Sequence, residues 1–197
     1  MDDLIEEVLD LWFEGVVENE MREAWWVQDE AFDAEIRRWF REVQRRASAG
    51  ELDVWAETPK GSLAPVIVLD QFSRNLNRGS AAAFANDPKA MATAEAAIEK
   101  GWDREFREPD RVFFYLPHEH SENFDVQRRC FRVYFETRGG TEYPEAYRAF
   151  RPFPTSKRCP WPLKYARGRR IFRPNARRLR GRIAQRRWRE PTRHKHP

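Results

Sequence analysis

The 197 residues hold only two cysteines, Cys130 and Cys159. They stand far apart, with no Cys-x-x-Cys pair and no histidine at ligand spacing, so neither a disulfide framework nor a zinc site is expected. No apolar run approaches the roughly eighteen residues that a membrane span needs. The first residues, Met1-Asp2-Asp3, are acidic where a secretory signal is basic, and the expectation is a cytoplasmic chain with no membrane partner. No segment of 1–126 alternates with period two for long enough to make a strand, which removes sheet architectures. Acid is nearly missing from the end of the chain, where residues 151–197 hold 17 Lys and Arg against the single acid Glu190. Of 36 basic and 32 acidic residues in all, 19 and 31 are left for 1–150, so the net charge of +4 hides a body of −12 and a tail of +16. Such asymmetry points to a nucleic-acid-binding arm or to a tail that folds back on its own body.

What is present is a helical pattern. With 41% hydrophobic residues, among them eight Trp and fourteen Phe, the chain can build one aromatic-rich core. Leu4, Val8, Leu11 and Trp12 recur at helical spacing over 2–13, and Gly15 follows. Asp29 is placed to cap a helix with Phe32, Ile36, Phe40 and Val43 as its inner stripe; Asp33, Glu35, Arg37, Arg38 and Arg41 are assigned to its outer faces, and Gly50 stops it. Trp25 and Trp26 just before it read as a hydrophobic staple or as core. Ser62 is the expected cap of a central helix that ends at Gly79, with Pro65 in its first turn. Asp87-Pro88 supplies a cap and first-turn proline for 88–99; Glu108-Pro109 opens a further helix that Pro117 ends, and 122–138 can form another with Cys130, Val133 and Tyr134 inward. About six helices joined by short loops predict an all-α right-handed stack or bundle. Past Gly139-Gly140 the periodicity is lost among arginines and prolines such as Pro160, Pro162 and Pro174. The domain reading is therefore a helical domain at 1–138 and an Arg/Pro-rich, poorly structured basic tail at 139–197.

The central helix is where polarity intrudes. Val66-Ile67-Val68-Leu69 is fit for burial, yet the same helix continues with Asp70, Gln71, Arg74, Asn75 and Arg78. Asp70 and Arg74 are four apart and can pair on one face, as can Gln71 with Asn75. Two guanidinium groups oriented by Asp70 and the amides form a bidentate grip for a carboxylate or phosphate; the same spacing also serves a buried ion pair that fixes helix register. A second cluster, Pro117-His118-Glu119-His120-Ser121-Glu122, places histidines beside carboxylates. Glu119 and His120 are its acid–base pair if chemistry occurs, and a helix-end cap by Ser121 or Glu122 is the alternative. The spacing fits no standard zinc motif, and no metal or cofactor is expected. Two polar islands in an aromatic-rich domain need each other's hydrogen bonds, so the clusters should converge.

These motifs carry a resemblance. Leu69-Asp70-Gln71-Phe72, Arg74-Asn75-Leu76, Arg78-Gly79, then Phe84 and Asp87, then Tyr115-Leu116-Pro117 with Glu119-His120-Ser121-Glu122 look like the bacterial domain-of-unknown-function family 924. Val8-Leu9-Asp10, Trp12-Phe13 and Phe32-Asp33 with Ile36 match its N-terminal part, so the resemblance covers about 4–127. It implies a tetratricopeptide-like fold of antiparallel helix pairs and supplies candidate positions rather than a mechanism. Ser73 stands where a proline is usual, Asn77 where an aromatic is usual, and His118 replaces an apolar residue. Family members continue to a Pro-His-Arg-Asn stretch that 128–197 lacks. Residues 181–192, back-translated with GC-rich codons, re-read in a neighbouring frame as Pro-His-Arg-Ala-Thr-Pro-Leu-Ala-Arg-Thr-His, which makes the tail read as an out-of-frame translation.

The functional expectation is a cytoplasmic helical domain that binds a small anionic ligand or peptide carboxylate through Asp70, Gln71, Arg74, Asn75, Arg78 and Glu122. A non-catalytic helical interaction module is the alternative. Nucleic-acid binding, nonspecific and through the tail, is the third.

Overall fold

The computed structural model describes residues 2–16, 22–107 and 109–137, and the readings made for 139–197 lie outside them. All regular elements among the described residues are helical: α1 (Asp2–Phe13), α2 (Glu30–Ser48), α3 (Pro59–Val66), α4 (Ser73–Leu76), α5 (Asp87–Glu99), α6 (Leu116–Glu119) and α7 (Phe124–Thr137), with short 3-10 turns between several of them. Among these elements no helix is long and apolar enough to cross a membrane.

The core is organised by aromatic rings. Trp12 stacks on Trp25 at 6.0 Å and meets Phe32, Phe72 and Phe113 at 5.5–5.8 Å. One indole thus ties α1, α2, the central rod and the 110–114 turn together. Such a ring buries enough apolar area that its truncation to Ala would cost about 3–5 kcal/mol. The end of α1 is closed by side chains that no spacing announced. Buried Arg22 donates from Nη1 to the Leu11 carbonyl at 2.6 Å, Trp25 donates from Nε1 to the Trp12 carbonyl at 3.0 Å, and the Arg22 guanidinium lies 4.3 Å from the Phe32 ring centroid. Carbonyls left over by a helix end need such donors when they are buried.

Asp29 caps α2 as its position predicts, accepting from the Ala31 and Phe32 amides at 2.9 and 3.0 Å. Phe32, Ile36, Phe40 and Val43 are all buried, but Asp33 is buried with them. It stands three residues before Ile36 and seven before Phe40, on the inner stripe rather than outside it.

The central rod differs most from expectation. Thr58, not Ser62, caps α3, accepting from the Gly61 amide at 3.1 Å, while the Ser62 hydroxyl donates to the Pro59 carbonyl at 2.7 Å. Gly61 is required sterically, since a Cβ there would lie 2.2 Å from the Trp55 carbonyl oxygen. The earlier start puts Pro65 inside α3 instead of in a first turn. Proline lacks the amide that an α-helix interior uses and crowds the preceding turn. From Ile67 to Phe72 the rod runs as a wider π-helix before α4 resumes the ordinary pitch. All six of those residues are buried, so Asp70 and Gln71 have no solvent face and must find partners within the protein. Gly79, at φ 77°, ends the rod in the left-handed region that favours glycine.

The rod packs against α2 on one side and α5 on another, and α5 in turn contacts α6. Ala90, Ala94 and Ala97 line the inner face of α5, where small side chains permit that approach. Pro117 lies in the first turn of α6 and does not end a helix there. The following α7 places Cys130 inward and Val133 half-buried. The Tyr134 side chain lies outside the description.

Candidate functional site

The π-helical stretch and α6 bring the two polar motifs together. His120 Nδ1 lies 2.8 Å from Asp70 Oδ1, joining residues fifty positions apart. Gln71 Nε2 donates to the other oxygen, Oδ2, at 2.5 Å. Arg74 Nη1 adds a 3.3 Å contact to Oδ1, the expected pairing at a spacing of four, and a 3.3 Å bond to the Asp70 carbonyl. The Asp70 side chain is 1% exposed, whereas His120 is 23% exposed, so the imidazole is where this buried charge reaches toward solvent. Burial alone would raise the Asp70 carboxyl. The charges of His120 and Arg74, with hydrogen bonds from His120 and Gln71, outweigh it and hold the group below its ordinary value.

The arginines are engaged differently from the expectation of two open anion grips. Arg74 donates from Nη1 and Nη2 to Asp87 Oδ1 and Oδ2 at 2.8 and 2.9 Å, a bidentate pair. Its guanidinium also lies 5.3 Å from the centroid of Phe84, which is 55% exposed. Asp87 therefore holds Arg74 and is not the cap of α5; Asn86 occupies the cap position without a side-chain bond to the helix. Arg78 turns the other way. Its Nε and Nη2 donate to Asp33 Oδ2 and Oδ1 at 2.5 and 2.9 Å, and Asn75 Nδ2 donates to Asp33 Oδ1 at 2.7 Å. Asn75 and Arg78 thus clamp the start of α2 to the end of the rod, away from Asp70. The repeat that placed Gln71 with Asn75 fails because Gln71 bonds its own neighbour.

From outside the second cluster, Asp70 brings a carboxylate to the His120 ring. Glu119 is half-buried and Glu122 exposed. Gln127 fastens the loop between α6 and α7 by donating to the Glu119 and Ser121 carbonyls at 3.0 and 2.5 Å. Asn123 caps α7, accepting from the Asp125 amide at 2.9 Å. His118 is buried, with Nε2 3.5 Å from Glu95 Oε1. Burial pushes this imidazole below its ordinary value against the pull of Glu95. Among the described residues no group of three or more His, Cys, Asp or Glu is placed to hold a metal ion.

Asp33, Asp87 and Ser73 are the site residues that sequence reasoning missed. The Ser73 hydroxyl accepts from Gln44 Nε2 at 3.0 Å and Asn86 Nδ2 at 3.1 Å, and its carbonyl accepts from Asn77 Nδ2 at 3.0 Å. Two of the three positions that depart from the family pattern, Ser73 and Asn77, are thus bonded to each other.

A family model described as a bacterial protein of unknown function matches residues 8–159. The chain belongs to this family, DUF924. The match reaches 32 residues past Gln127, where the motif resemblance stops. A solved structure of a protein of unknown function from Agrobacterium tumefaciens is 37% identical, with 71% of this chain and 76% of that chain covered and a TM-score of 0.63. No curated protein matches the chain. As a DUF924 member it has the cluster around Asp70 built from three of the family-like motifs quoted above, those at 69–79, at 84–87 and at 115–122.

Proposed function

We propose that this DUF924 chain binds a small anionic ligand, a free or peptide carboxylate being the favoured class, at the cluster of Asp70, Arg74 and His120. The observation that carries the reading is the 2.8 Å contact between Asp70 Oδ1 and His120 Nδ1. A carboxylate at Nδ1 fixes the ring's orientation and favours a proton on that nitrogen, which leaves Nε2 as the atom that meets a ligand. In the charged ring Nε2 donates to an anion; in the neutral ring it accepts a proton, so the arrangement also suits acid–base work. Gln71 positions Asp70 from the far side. Arg74, 3.3 Å from Asp70 Oδ1, offsets part of the carboxylate charge that would otherwise repel the ligand. The π-helical turn supports the reading further, because such turns occur frequently at functional sites.

The test is to follow the His120 ring signals by NMR while acetate, benzoate and inorganic phosphate are added in turn. A saturable shift that Asp70→Asn weakens, with folding checked by melting, is the expected result. Rings that respond to none of the three anions in any form of the chain would overturn the reading.

A further inference from the structure

We infer that Asp87 occupies Arg74 as an internal stand-in for the ligand's carboxylate, and that a monocarboxylate with an aromatic or apolar body displaces it. This rests on the anion-binding reading above and adds where the ligand's charge sits and what its body touches.

The grip of Arg74 on Asp87 has the shape of ligand recognition, two near-parallel N–H donations of 2.8 and 2.9 Å to one planar carboxylate. Arg74 is firmly placed for it, with its side chain 18% exposed and Nη1 also bonded to the Asp70 and Ala83 carbonyls at 3.3 Å. Asp87 is the less confined partner. Its side chain is 24% exposed, and it stands in the first turn of α5. That position gives the carboxylate another favourable place to go. The N-terminus of α5 has no side-chain cap from Asn86 and has Pro88 next in sequence, the pattern in which an aspartate bonds amides two or three residues on. The helix dipole favours an acid there even after Arg74 is released. The capping role that the sequence pattern assigned to Asp87 is therefore the state it adopts when a ligand takes Arg74.

The surroundings select among anions. Asp70 Oδ1 lies 3.3 Å from Arg74 Nη1, so an entering group meets a fixed negative charge, and a phosphate dianion is penalised relative to a monoanion. Phe84 offers an exposed ring beside the guanidinium, and such a ring is apolar surface for the ligand's body. His120, reached through Asp70, is the second donor at the site.

The experiment measures the affinity of benzoate, acetate and inorganic phosphate by the His120 ring shift in the natural chain, in Asp87→Asn and in Phe84→Ala. Asp87→Asn removes the competing charge while keeping the side chain's size, and it should raise benzoate affinity on the order of tenfold, equivalent to about 1.4 kcal/mol. Benzoate should bind more tightly than acetate and acetate more tightly than phosphate, and Phe84→Ala, at an exposed position the fold tolerates, should bring benzoate down to acetate's affinity. A response seen only in Asp87→Asn also supports the inference, since Asp87 then blocks the site outright. If the natural chain binds benzoate but Asp87→Asn binds it no better, the inference falls and the anion-binding reading stands. If no chain responds to any of the three anions, both fall.

Discussion

Asp70 and Asp103 are both buried carboxylates held by an arginine, yet they are built to different ends. Asp103 is 0% exposed, and its donors converge on one oxygen. Arg111 Nε and Nη2 donate to Oδ2 at 3.2 and 3.0 Å, and the Tyr115 hydroxyl donates to the same atom at 2.6 Å. Oδ1 has no hydrogen-bond partner among the described residues. The partners of Asp103 are themselves buried, Arg111 with a side chain 11% exposed, so this charge joins the 102–105 and 110–114 turns and stays inside. Asp70 spreads its partners over both oxygens, and two of them, His120 and Arg74, reach toward solvent. An ion pair whose partners are all buried can only hold the fold. One whose partners lead outward can also respond to something outside, and burial of the partners separates the two cases where charge and spacing do not.

The largest effect should come from breaking the closed pair. Arg111→Ala leaves buried Asp103 without its guanidinium and with the Tyr115 hydroxyl as a remaining donor, and the expected loss is about 3–5 kcal/mol in chemical denaturation. Arg74→Ala should cost less, about 2 kcal/mol, because Asp70 keeps His120 and Gln71 and Asp87 can turn to water. The double substitution Asp70→Asn, Arg74→Gln should recover most of that loss. Equal losses for Arg74→Ala and Arg111→Ala would erase the distinction between the two carboxylates. Tyr115→Phe sharpens it from the other side. Removing one hydroxyl donor from Asp103 should cost about 1.5 kcal/mol and leave the His120 ring signals unchanged, because that hydroxyl donates to Asp103. A shift of the His120 signals in Tyr115→Phe would mean that the two pairs are coupled.

The all-helical class was legible, because every inner stripe repeats at three and four and glycines follow α1, α2 and α5. The convergence of the two polar motifs was legible too, since a buried Asp70 needs a partner that its own helix cannot fully supply. The partners on other helices were not. Spacing along one helix predicts only contacts within that helix, such as Asp70 with Arg74, whereas Arg78 reaches Asp33 on α2 and Arg74 also reaches Asp87 on α5. Asp33 carried a usable signal in its register with Ile36 and Phe40. Asp87 carried a misleading one, since Asp-Pro announces a cap wherever it stands. The π-helical turn was hidden because Pro65 reads as a first-turn residue only if Ser62 is the cap, and Thr58 with Pro59 makes an equally good start.

Acid separates Asp70 from His118. Asp70 is held below its ordinary value of 3.8, so the stability it contributes is present above that pH and is lost as the pH falls through its lower folded value. Asp70→Asn should therefore flatten the steepest acid limb of the denaturation curve, below about pH 4. The smaller change comes earlier and belongs to His118. Its folded value lies below the ordinary 6.5, so the unfolded chain binds a proton there that the folded chain refuses, and stability falls as the pH drops below 6.5 toward the folded value. Glu95 on α5 favours the proton, while burial and Arg129 on α7 oppose it. Because α6 carries His120 to Asp70, this early loss should loosen the open carboxylate before the closed one. Melting curves from about pH 7 to about pH 5 should show a shallow decline that His118→Gln removes. The His120 ring signals should broaden over the same range while the Tyr115 ring, bonded to Asp103, stays sharp. A decline that persists in His118→Gln would assign the early acid sensitivity to another group.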